Sequence, residues 1–159
     1  GNEVMTQERL RLTWFRRRFA GARGDEQLKH LFTIFYHNSQ TNCICLMGSL
    51  LPEFATFEDT MKESVKELCK EIVDWLTDCL ERAREAGRLS FDGAAADRAL
   101  LVLSILMSSL LMSRVLGKKV FVRMADQLLQ DLGADWRVAD LPEESDRQKM
   151  PPFSYTDHS

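Results

Sequence analysis

Cys43 and Cys45 are separated by a single residue, and His37 lies six positions before them. Thiolate and imidazole are the donors zinc prefers. A structural zinc site, however, takes about four ligands and usually spaces paired cysteines by about two to four residues. One Cys-x-Cys and one histidine fall short of that set, so no metal is expected. A redox sensor needs an accessible thiolate of low pKa, which neighbouring cations normally provide. Few cations lie near Cys43 and Cys45, and buried, inert thiols are the plainer reading. Cys69 and Cys79 complete the four cysteines of the chain. With no charged-then-apolar leader at the start, all four are expected to be free thiols in a reducing cytoplasm. His30 and His37 share a helix face but lie two turns apart, too far to chelate one ion together.

Catalytic signatures are missing from the sequence. There is no phosphate-cradling glycine loop, no Gly-x-Ser-x-Gly turn, no His-Glu-x-x-His helix and no pair of Glu-x-x-His motifs. The carboxylates cluster on helix faces that should meet water, where a general acid or base is hard to tune. No enzyme activity and no cofactor are expected.

Every periodic segment around these residues reads as helix, which predicts an all-α fold. The length of 159 residues suits one domain with a substantial core. A net charge of −3 argues against strong nucleic-acid binding by this chain alone. A first helix is expected over residues 6–20, with Leu12, Phe15 and Phe19 on one stripe and Trp14 beside it. Gly21 and Gly24 should end it, and Asp25 should cap the next, over residues 26–38, which turns Leu28, Leu31, Phe32 and Phe35 inward. A polar break follows, then a short helix over residues 43–51 up to Pro52. A long helix is expected over residues 57–86. Its apolar positions Phe57, Met61, Val65, Leu68, Ile72, Leu76, Cys79 and Ala83 recur at helical spacing, and Gly87 stops it. Asp92 should cap a helix ending at Gly117, and a last helix runs over residues 119–132, with Val120, Met124, Leu128 and Leu132 four apart before Gly133. Residues 134–159, with Pro142, Pro151 and Pro152, read as a tail without regular structure, leaving residues 1–133 as the domain.

Within this pattern residues 99–113 stand out as an uncharged run between Arg98 and Arg114, apolar on all sides. A helix with no polar face needs cover all round. Taken as fifteen residues, it would span roughly 22 Å, short of a hydrocarbon core of about 30 Å. A protein neighbour is therefore expected rather than a membrane. Ser104 and Ser108 lie one turn apart and would let a second helix approach closely.

The order of motifs then becomes specific. A short segment carries Cys45, Leu46, Met47, Gly48, Leu50 and Glu53. A charged amphipathic helix closes with Ala83-Arg84-Glu85-Ala86-Gly87-Arg88-Leu89, and a capped turn, the apolar helix and a last amphipathic helix follow. Over residues 5–133 this resembles the C-terminal, ligand-binding and dimerisation domain of TetR-family transcriptional repressors. Ile44 stands where that family often has glycine, and Ser49 where it often has asparagine. The resemblance implies an antiparallel bundle of about six helices that forms a homodimer through its last two. It also implies that DNA is read only through an N-terminal helix-turn-helix, which is missing from this chain. Arg9, Arg11, Arg16, Arg17, Arg18 and Arg23 fall where the family's connecting helix leaves that reader.

By the same resemblance a small apolar or aromatic effector sits among the first four helices of the domain, and its binding resets the spacing of two DNA readers. The residues that would line its pocket are Trp14, Phe15, Phe19, Phe32, Tyr36, His37, Cys43, Met47, Trp75 and Cys79. The dimer interface would hold Leu103, Ser104, Met107, Ser108, Leu111, Met112, Val115, Val120, Met124 and Leu128. Two alternatives stay open: a stand-alone helical dimer acting by protein–protein contact, and a thiol-based redox sensor on the same fold.

Overall fold

The structure, a computed structural model, describes residues 23–41, 43–44, 50–141 and 155–156. The described chain is helical. Its helices are α1 (Gly24–Gln40), α2 (Asp59–Glu85), α3 (Ala95–Leu116) and α4 (Lys119–Asp131), with 3-10 turns at Leu51–Thr56 and Val138–Asp140. Two strands of two residues each, β1 (Cys43–Ile44) and β2 (Tyr155–Thr156), pair antiparallel, Cys43 opposite Thr156 and Ile44 opposite Tyr155. The helix expected from residue 43 is thereby corrected: the backbone there bonds across to a distant strand rather than along a helix. The helix expected over residues 6–20 lies outside the described residues.

The stripe on α2 behaves as its spacing predicts. Val65, Leu68, Leu76, Cys79 and Ala83 are buried, and Met61 and Ile72 are half-buried beside them. The helix stops where a glycine can turn the chain. Gly87 has φ 74°, its N–H donates to the Arg84 carbonyl, and the Arg88 N–H donates to the Ala83 carbonyl. This pair of hydrogen bonds satisfies carbonyls that the last turn would otherwise leave open. The Asp92 cap is not used. Ala94 takes that position with no side-chain bond, and Arg98 instead donates to the Asp92 carbonyl at 3.1 Å.

Two expectations about glycine and the tail are also corrected. Gly24 does not separate helices; it opens α1, behind Arg23, with Asp25 buried in the first turn. Its hydrogen is there for packing. A Cβ on Gly24 would overlap the Cys79 carbonyl oxygen and lie 3.0 Å from the Ala83 nitrogen, so α1 crosses α2 at backbone contact. The segment after Gly133 is no loose tail at its start. Ala134, Trp136 and Val138 are buried in the main core, so that core runs past residue 133. Trp136 stands edge-on to Phe32 with ring centroids 5.5 Å apart, and the Val138 N–H donates to Asp126 Oδ1 at 2.8 Å. These two contacts tie α1 and α4 to one short strap.

Candidate functional site

The crossing of α1 on α2 holds a polar cluster inside the core. Gln27, buried on α1, accepts hydrogen bonds at Oε1 from Trp75 Nε1 at 3.1 Å and from Cys79 Sγ at 2.9 Å. Trp75 and Cys79 are one turn apart on α2 and so reach the same oxygen. An amide in this position costs about 1–3 kcal/mol if its partners are lost, which makes the cluster a fixed point between the two helices. Gln27 was not foreseen. Its signal was a polar residue on the stripe that also carries Leu28 and Leu31.

The expected effector residues divide into three groups. Trp75 and Cys79 come together at Gln27. Phe32 is fully buried against Trp136, a core position rather than an open wall, while Tyr36 and His37 are half-buried further along α1. Cys43 is described only as backbone in β1, and Trp14, Phe15, Phe19 and Met47 lie outside the described residues. Burial pushes the Cys69 thiol above its ordinary pKa, which makes it a poor nucleophile. Among the described residues no group of three or more His, Cys, Asp or Glu is placed to hold a metal ion.

The outer side of α3 is the second feature. Val102, Leu106 and Leu110 fill the core, yet Leu100, Leu101, Leu111, Met112, Val115 and Leu116 are exposed, Val115 at 81% and Leu116 at 61%. Ser104 and Ser108 are exposed between them, and Met124 of α4 adds to the same apolar character. Of the residues expected at a dimer interface, Ser104, Ser108, Leu111, Met112, Val115 and Met124 are on open surface, and Met107 and Val120 are half-buried. Leu103 and Leu128, also expected there, are buried in the core, 6% and 3% exposed. Leu100, Leu101 and Leu116 were missed, since a helix apolar all round does not reveal which side its own fold covers.

The helix is 22 residues long, so its length and composition would suffice to cross a membrane, which removes the argument from a fifteen-residue run. One such helix is a weak sign, since the core helix of a soluble protein passes the same test, and 39% of its apolar window is buried inside the chain. Compared with known proteins, the chain matches no protein-family model, no curated protein and no solved structure.

Proposed function

We propose that this chain is the effector-sensing and dimerisation domain of a TetR-like transcriptional regulator, a repressor in the intact protein. The observation that carries the reading is the outer α3 face, along which six large apolar side chains are exposed, with Met124 of α4 exposed as well. Covering side chains that are about half wet returns roughly 5–9 kcal/mol per copy. Two copies together then offset the roughly 4–15 kcal/mol that association costs. A homodimer formed through α3 and α4 meets that requirement.

The sensing part rests on α1 and α2. Gln27, Trp75 and Cys79 set a few polar atoms among aromatic and aliphatic neighbours, the composition that orients a small apolar or aromatic effector. An effector that favours one seating of α1 on α2 shifts the population between two states by its difference in affinity for them. Light scattering on the purified chain tests the first part: a dimer at micromolar concentration is expected, and a stable monomer would overturn the reading. A thermal-shift screen of apolar aromatic compounds, followed by tryptophan emission, tests the second. Compounds that raise Tm and change emission in the parent, but not in Trp75→Phe, support the sensor. A dimer that answers to no compound favours the stand-alone dimer instead.

A further inference from the structure

The strap after α4 reaches both halves of the molecule. Trp136 is buried edge-on against Phe32 of α1, and Lys29 of the same helix lies over an indole ring at 5.6 Å. Two residues on, the Val138 N–H donates to Asp126 Oδ1 of α4 at 2.8 Å. The strap is stiff between these two points. The Arg137 guanidinium donates to the Ala134 and Trp136 carbonyls at 2.9 and 2.8 Å, and the Arg137 backbone N–H donates to Asp140 Oδ2 at 2.9 Å. Its start is pinned as well. The Ser90 N–H donates to the Leu132 carbonyl, and a Cβ on Gly133 would lie 3.0 Å from the Ser90 nitrogen.

Helix α1 is therefore held on two sides. Gln27 fixes it to α2 through Trp75 and Cys79, and Phe32 meets the strap. These residues are five apart in sequence, which turns them about 140° from each other around the helix axis. A shift of α1 at one hold is passed to the other, because a close-packed interior has no free volume to absorb it. Apolar packing of α1 on α3 and α4 fixes no direction, whereas an edge-on ring and a hydrogen bond do. The hydrogen bond ends on Asp126, two residues from the exposed Met124.

We propose that the strap couples the seating of α1 on α2 to the dimer face of α4, with Trp136 and Val138 as its positioning residues. The proposal rests on the reading of α1 and α2 as the sensor and of α3 and α4 as the dimer interface, and adds the connection between them. By linkage, an effector that reseats α1 changes the affinity of the dimer, and dimer formation changes the affinity for the effector by the same factor.

A mutant cycle on the dimer tests this. Gln27→Leu loosens the first hold. Asp126→Ala removes the acceptor of the strap bond, and Val138→Pro removes its donor. Proline suits that position, since it opens the 3-10 turn and Arg137 before it is already extended, at φ −133° and ψ 174°. The dimer Kd of each single and double variant is measured by sedimentation over a dilution series. Gln27→Leu should shift Kd at least about fivefold in the parent and less than about twofold in either cut chain. A shift of equal size in parent and cut chains, or none in the parent, overturns the coupling and leaves the dimer standing. Cut chains that both fail to fold show a strap that is only structural and overturn the coupling as well. A parent that stays monomeric overturns both the coupling and the dimer.

Discussion

The α1–α2 crossing and the outer face of α3 invert the usual distribution of residues. The crossing is inside the protein and carries an amide, an indole N–H and a thiol. The α3 face is outside and carries leucine, valine and methionine. The indole N–H and the thiol are stable inside because both find one acceptor, Gln27 Oε1, within the chain, and the backbones touch at Gly24. The exterior apolar groups find no cover among the described residues of the same chain. One contact is complete in a single copy, and the other stays open there.

Substitutions can break this contrast, and their effects on the fold should fall in a definite order. Phe32→Ala should cost most, about 3–5 kcal/mol in urea unfolding, because a fully buried ring facing Trp136 leaves a cavity. Gly24→Ala should follow at about 3 kcal/mol, since the added methyl meets backbone rather than a side chain that can move. Gln27→Leu should cost about 1–2 kcal/mol by leaving the Trp75 and Cys79 donors without this acceptor, and the tryptophan emission should shift with it.

On the open face the pattern should reverse. Leu101→Gln with Leu111→Gln should change the stability of the isolated chain by no more than about 0.5 kcal/mol at dilutions where the parent is monomeric. At micromolar concentration the same variant should sediment as a monomer, while the three core variants, where folded, remain dimers. A loss of stability as large as that of Gln27→Leu at high dilution would show that the leucines are packed within one chain and end the contrast.

The smallest effect concerns pH. Burial raises the pKa of Glu26, but the hydrogen bond from Arg23 and the charges of Lys29, Arg23 and His30 outweigh it and hold the group below 4.5. A carboxylate with a lowered folded pKa adds stability above its unfolded value, and that contribution is lost as pH falls through the folded one. Chemical denaturation of Glu26→Gln should therefore show a shallower loss of stability below pH 4.5 than the parent, with the surface position keeping the difference small.

Much of the helical framework was legible in the sequence because its signals are local. The three-and-four spacing on α2, the four-residue spacing on α4, and Gly87, Gly117 and Gly133 each specify their own neighbourhood. What escaped depends on partners far along the chain. Trp136 looked like part of a tail, although Ala134, Trp136 and Val138 alternate as an extended, one-sided segment does. Cys43 and Ile44 looked helical until their strand partners at residues 155–156 were placed. Gln27 reads as an ordinary helix residue without Trp75, 48 residues away.

The sequence by itself determined that the chain is mainly helical, where the long helices end, and that residues 99–113 need cover on every side. These follow from periodicity and turn chemistry, which act over a few residues. The tertiary structure alone decided which side of α3 the chain covers for itself. Only when α4 and α2 are in place do Leu103 and Leu106 turn into core and Leu101 and Leu111 into surface. Burial is a property of what lies opposite a residue, and an apolar helix carries no record of it.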